Sequence, residues 1–434
     1  MNPGPPRAEK QSTFEFIGRA LRYRNYRLYF GGQGVSLIGT WMQQIAMSWL
    51  VYRLTDSAFY LGLIGFTSQA PMFFFTSFAG VFIDRIHRRN LLIITQTLAT
   101  VQASLLAFLT LSGHIQVWHL VLLSLFLGCI NAVDMPARQS FVVEMVESKE
   151  DLGNAIALSA FMFNSARLVG PAIAGIVVSA IGEGPCFLIN AISFLAIIAT
   201  LLAMRIPNRK SKTASASFFQ GLKEGYLYAM GFPPIRYVLL LLALTSLVGM
   251  PYMVLMPIFA RDILHGGPHT LGFLMGASGV GALIGSLYLA SRKSVLGLGK
   301  LIVIASSIFG AGLIAFSFSR SFALSLFLLL FSGFGMIVQM ASSNTILQTI
   351  VDEDKRGRIM GFYVMAFGGT APFGSIMAGG LASKIGAPNT LVISGIICII
   401  GSLLFLRRLP RFRQAVRPTY IKMGIIREMP VDLQ

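Results

Sequence analysis

The sequence predicts an all-α membrane protein with twelve transmembrane helices in two six-helix bundles and both termini in the cytoplasm. Three observations carry that prediction. The 434-residue chain is 55% hydrophobic and only 12% charged, with a mean hydropathy of +0.71. A soluble chain carries about 25% charged residues, so only a membrane solvent accommodates this much apolar surface. Secondly, the apolar residues fall into twelve runs, six on either side of a longer polar segment at 205–235, and a span needs about 20 such residues. Thirdly, the cations are one-sided. When the gaps between runs are assigned alternately to two sides, 30 of the 35 Lys and Arg residues share the side of the N-terminus. Four fall on the other side, and Arg167 lies within a span. That asymmetry is the positive-inside rule. The net charge of +18 is therefore spread along one membrane face. A nucleic-acid partner would call for a basic patch on one folded region, so none is expected.

Taken in order, residues 1–27 are polar and basic with no apolar stretch, and no cleavable signal peptide is expected. Spans are expected at 28–52, 58–82, 91–112, 117–136, 155–181 and 185–204, an N-terminal bundle of 28–204. The linker, 205–235, opens with the polar IPNRKSKTASAS and continues as FFQGLKEGYLYAM. There Phe218, Phe219, Leu222 and Tyr226 share one helical face, the pattern of an amphipathic helix on the cytoplasmic surface with Lys223 on its wet side. The second bundle, 236–406, has spans at 236–258, 269–290, 301–319, 321–345, 359–384 and 389–406, followed by a basic cytoplasmic tail at 407–434. The halves echo one another. VESKEDLGNAI follows the fourth span as VDEDKRGRIMG follows the tenth, and the next spans carry Gly170-Pro171 and Ala371-Pro372. Related halves with a substrate site between them are a recurrent transporter plan. One chain supplies both halves, so a monomer is expected.

Enzyme chemistry finds little purchase. No carboxylate is expected deep within a span, no histidine pair has metal-ligand spacing, and no phosphate-cradling loop is present, so no cofactor or metal is expected. Cys129, Cys186 and Cys398 all fall in apolar runs and read as small packing residues. The first span carries a polar stripe, Gln33, Ser36, Thr40, Gln43 and Gln44, at helical spacing. Amides facing lipid would be unsatisfied, so the stripe faces either protein or a water-filled cavity. Thr40, Gln43 and Gln44 fall near mid-depth, where a substrate site is expected. Arg167 is the one cation well inside a span, with Asn164 one turn before it. It either attracts an anionic group of a substrate or makes structural bonds to neighbouring helices, the plainer of the two roles. In the second half Tyr252, Met253 and Met256 lie near a proline in the seventh span, and Gln339 lies in the tenth. Such surfaces suit variable apolar ligands and also ordinary packing.

The turn after the second span reads GVFIDRIHRRNLL. It resembles the G-x-x-x-D-R/K-x-G-R-R/K signature of the major facilitator superfamily, with His87 at the usual second glycine. Gly170, Pro171 and Gly175 resemble the glycine-proline motif in the fifth helix of drug antiporters of that superfamily. The stretches NYRLYFGGQGVSLIGTWMQQIAMSWLVYRLTDSAFYLGL, DMPARQSFVVEMV, NAIALSAFMFNSARLVGPAIAG and RGRIMGFYVMAFGGTAPFGS extend the resemblance over most of residues 25–385. Together they are similar to the enterobactin-exporter-like branch, which includes macrolide-efflux-like members. The resemblance implies the major facilitator fold and a bacterial inner-membrane exporter of siderophores, macrolides or other drug-like compounds, working by alternating access. It implies a cytoplasmic latch of Gly80, Asp84, Arg85, Arg88, Arg89, Asp134 and Arg358. In it Asp134, closing the fourth span, pairs with Arg88 or Arg89, and Asp84 sits at the start of the eleventh helix near Arg358. Proton coupling through Asp84 or Asp134 is the corresponding expectation, with protons and membrane lipid as further partners. A lipid or lysophospholipid translocator and a non-transporting receptor or scaffold of the same fold are the alternatives.

Overall fold

A computed structural model describes residues 18–85, 87–205, 218–292 and 294–426; the side chains of residues 76–85, 149, 218–223 and 354 are outside the description. After a single 3-10 turn, Arg19–Arg22, the first half holds α1 (Arg24–Thr55), α2 (Ala58–Arg85), α3 (Arg88–Leu111), α4 (Val117–Met145), α5 (Lys149–Ile181) and α6 (Glu183–Ala203). α7 (Phe218–Gly231) follows. Then come α8 (Pro233–Val248), α9 (Tyr252–Ile258), α10 (Pro268–Ala290), α11 (Leu298–Phe318) and α12 (Phe322–Ile350). The chain closes with α13 (Glu353–Val364), α14 (Ala371–Ile385) and α15 (Ala387–Lys422). No strand occurs among the described residues.

Among the described residues, eleven segments are long and apolar enough to cross a membrane, with α8–α9 and α13–α14 each counting as one. The 32-residue α1 is long enough, but its polar stripe keeps it outside that set. The interruptions have local causes. α8 ends at Gly249, and Pro251, with no N–H to donate, starts the turn into α9. A π-turn at Met365–Gly369 precedes Pro372 at the start of α14. Pro71, Pro136 and Pro171, by contrast, are carried inside continuous helices.

Several helices overrun their expected spans. α4 continues to Met145, well past residue 136, and α5 begins at Lys149 rather than 155. The segment expected only as a basic tail is helical to Lys422, because Leu409, Phe412, Val416 and Tyr420 recur at helical spacing and are buried. α7 lies within the segment 205–235. It packs Gly225 against Arg358 and Phe362, while Tyr226 and Leu227 are exposed. Phe218, Phe219, Leu222 and Lys223 lie outside the described side chains.

The packing is repeated. α1 lies on α5 and α6, α2 on α4, and α3 on α4 and α6; correspondingly α10 lies on α12, α11 on α12 and α15, and α15 on α8. The two sets meet chiefly along α2 with α14 and α5 with α10. Both contacts are backbone-close because glycines face each other. A Cβ on Gly62 would lie 2.5 Å from the Ser375 carbonyl, and one on Gly175 2.9 Å from the Pro268 carbonyl. Without a water-driven hydrophobic effect between helices in lipid, such close van der Waals contact drives association.

Candidate substrate site

The stripe on α1 divides once folded. Gln43 is buried and faces protein. Its Nε2 donates to Gln102 Oε1 at 3.1 Å, and Asn190 Nδ2 donates to its Oε1 at 2.8 Å. Gln102 donates on to the Leu123 carbonyl at 3.2 Å, so one amide chain ties α1, α3, α4 and α6 together. This is interhelical hydrogen bonding that engages both polar atoms of a buried Gln43. Gln33 and Ser36 are buried too, with Gln33 Nε2 lacking a partner. Thr40 is half-buried and donates to the Ser36 carbonyl at 2.9 Å, while Gln44 is exposed. Gln339 donates to Thr245 at 2.8 Å beside a small cavity lined also by Met250, Phe309 and Phe367. Tyr252 is buried against Phe309 with its hydroxyl 2.5 Å from that of Ser278, and Met256 is buried in the core.

Arg167, Asn164 and Met253 are brought towards one place. Arg167 is half-buried, with Nη2 4.0 Å from Met253 Sδ and its guanidinium carbon 5.9 Å from the centre of the Trp41 ring. Trp41 in turn meets Phe163 edge-on at 6.0 Å. Asn164, half-buried one turn earlier, donates to the Ala160 carbonyl at 2.9 Å. No carboxylate lies within 4.0 Å of Arg167 among the described residues. The glycine-proline stretch holds this helix in place. A Cβ on Gly170 would lie 2.5 Å from Trp41 Cβ, whereas Gly175 and the Pro171 carbonyl face α10 at Pro268 and Gly272.

The ion pairs depart from the expected latch. Asp134 does not close its span. α4 runs eleven residues beyond it, about 16 Å at 1.5 Å per residue, so it is buried in the bundle out of reach of the turn. Its carboxylate accepts from Thr95 at 2.7 Å, from Gln96 at 2.8 Å, and from Arg138 one turn away. The pairing of Asp134 with Arg88 or Arg89 is thereby corrected. Arg88 pairs with Glu144, which lies in the last turn of α4 at the level of the start of α3. Arg89 donates to the Leu201 and Leu202 carbonyls at 2.7 and 2.9 Å, capping the C-terminal end of α6 where a cation is favoured. Arg358 pairs with Glu224 of the neighbouring α7 at 2.6 Å. The side chains of Gly80, Asp84 and Arg85 fall outside the description.

A second set of polar contacts was missed in the sequence. At the end bearing the α1–α2 turn, Asp56 pairs with Arg261 and Tyr52 donates to Asp262, and Ser179 lies 3.3 Å from His269 Nδ1. All three join the first set of helices to the second. The signal was positional: RLTDSA after the first span and FARDIL after the seventh place charges at equivalent ends of the two halves. Asp56 closes α1 in the left-handed conformation, φ 47°, which its short polar side chain tolerates. From these contacts the two sets touch down to Phe66, Phe73 and Phe373 at mid-depth. Among the described residues, no ion pair or hydrogen bond joins them at the opposite end.

Paired helical halves around a mid-depth polar cluster are the architecture of a multi-pass membrane transporter. Residues 19–423 match the transmembrane secretion effector family. The chain belongs to that family of the major facilitator superfamily. Among sequence relatives, the staphyloferrin A transporter of Staphylococcus aureus is 25% identical over 88% of this chain and 96% of its own. The multidrug efflux pump Tap of Mycolicibacterium fortuitum is 24% identical over 89% and 95%. Macrolide efflux protein A of Streptococcus pyogenes is 24% identical over 87% and 96%. A bacterial homolog of the human lysosomal transporter Spinster, solved inward-facing and unoccupied, shares the fold. Its TM-score is 0.68 at 14% identity, with 94% of this chain and 98% of that chain covered.

Proposed function

We propose that the protein is a secondary exporter of amphipathic small molecules, of the siderophore, macrolide or drug-like kind, working by alternating access in a bacterial inner membrane. In this reading α1 is the twelfth span, and bundles 28–204 and 236–406 are joined by the linker 205–235, with both termini cytoplasmic. The chain acts as a monomer, with protons as the driving partner and lipid as its surroundings. The observation that carries the reading is the placement of Arg167. It stands at mid-depth among residues of both halves, just where their contacts end. With the cationic face inside, the closed end points outward and the arrangement is inward-facing. A compound entering from the cytoplasm then meets Arg167, Trp41 and Met253 at the top of its path. The named cargoes of the three sequence relatives support export of compounds of this size.

The test is accumulation in everted membrane vesicles of labelled catecholate siderophores, macrolides and lysophospholipids, each with and without a pH gradient. Accumulation that collapses with the gradient is the expected result. Gradient-independent movement of lipid alone, varying with headgroup, makes the protein a translocator instead. No movement of any compound by folded protein overturns transport of these classes.

A further inference from the structure

Among the described residues, no carboxylate answers the charge of Arg167. A guanidinium stays protonated throughout the physiological range, and one held within a membrane helix is costly unless something answers it. Several cations nearer the ends of the helices are answered by carboxylates. Arg22, Arg53, Arg88, Arg138 and Arg358 each have a carboxylate within 4.0 Å. Around Arg167 the described groups include a thioether at 4.0 Å, an indole ring at 5.9 Å and the uncharged phenol of Tyr252, whose hydroxyl is engaged with Ser278. A cation–π contact of this length attracts the guanidinium weakly and neutralises nothing. The neighbouring Asn164 spends its Nδ2 on the Ala160 carbonyl, which leaves its Oδ1 as an acceptor. Trp41, Phe163 and Met253 supply adjoining apolar surface, and Phe163 is 40% exposed.

We propose that Arg167 receives the head of the transported compound, and that the site takes an amphipathic organic monoanion. A carboxylate or phenolate head accepts from the guanidinium, while an aromatic or aliphatic body lies against Trp41, Phe163 and Met253. A hydroxyl or amide N–H of the ligand donates to Asn164 Oδ1, about 4.5 Å away along the helix. Among the described residues no second cation is placed with Arg167, so a phosphate dianion would keep half its charge unanswered. The inference deepens the exporter reading and rests on it for the word substrate.

The experiment uses full-length protein in nanodiscs with Trp41 as the only tryptophan, made by Trp49→Phe and Trp118→Phe. Quenching of Trp41 is titrated with 4-phenylbutyrate, its amide and 4-phenylbutylamine, which share one apolar body. A charge-assisted bond of ordinary strength gives the carboxylate roughly tenfold tighter binding than the amide, and the amine the weakest. Arg167→Gln erases that order and Arg167→Lys restores most of it, which a purely structural arginine would not do. Equal affinities in the protein with native Arg167, no quenching by the carboxylate, or an order that survives Arg167→Gln overturns the proposal. The first two outcomes need no variant at position 167, so a misfolded Arg167→Gln does not blunt the test. Vesicle flux separates the two readings. Flux without carboxylate preference sinks the anion site and keeps the exporter; preference without flux does the reverse.

Discussion

Asp134 shows how one residue changes meaning with three more turns of helix. As the last residue of a span it would lie within reach of the basic turn. Inside a longer α4 it is buried, held by Thr95, Gln96 and Arg138. Under the proposed proton coupling, this buried acid tied to Arg138, Thr95 and Gln96 is the carboxylate to test. Asp134→Asn is expected to abolish gradient-driven accumulation in everted vesicles while the protein remains folded; wild-type pH-driven transport by that variant would exclude the role. Gln43 illustrates the opposite fate. Gln43→Leu strands Asn190 Nδ2 and Gln102 Oε1, and membrane hydrogen bonds of this kind contribute about 0.6 kcal/mol on average. The expected result is a stability loss of about 1 kcal/mol in thermal or SDS unfolding. Substrate preference should stay unchanged, and an altered preference would place Gln43 in the site after all.

At the scale of elements, two glycine-lined seams decide how the halves meet. Gly62 and Gly379 let α2 and α14 touch at backbone distance, and Gly175 and Gly272 do the same for α5 and α10. Gly62→Val would drive its Cβ onto the Ser375 carbonyl, and overpacking of this sort costs about 1–3 kcal/mol. The cost falls on the state in which this end is closed. Spin labels on Tyr60 and Ser383, both exposed near that end, are expected to report a longer or broader distance distribution, with transport much reduced. An unchanged distribution would mean that the seam is not what holds the end shut.

Across the whole molecule the closed end also carries Asp56–Arg261 and Tyr52–Asp262, contacts between halves that must part for that end to open. Asp56 is largely exposed and Arg261 partly so, at 69% and 40% of their side chains, so the pair contributes only about 0–1 kcal/mol. Arg261→Ala should therefore shift the balance towards the outward-open form by at most roughly fivefold. The charge swap of Asp56 and Arg261 should recover it. Thiol accessibility of a cysteine placed at Ser57 reads the shift, and no change in Arg261→Ala would mean that this pair does not help hold the end closed.

What the sequence determined by itself is what depends on local composition and order. Apolar runs of membrane length, the one-sided cations, the helix in the linker and the Gly170-Pro171-Gly175 seam were all legible, because hydropathy and small residues act wherever the chain goes. Arg167 stood out for the same reason: a charge inside an apolar run is visible without any neighbour. The tertiary structure decided the partners. Whether Gln43 faced a cavity or Asn190, whether Arg88 met Asp134 or Glu144, and whether Asp56 would find Arg261 depended on helix lengths and on residues up to two hundred positions away. Those distances are set by how far α4 runs on beyond its apolar core and by which helices cross, and side-chain spacing along one helix carries no record of either.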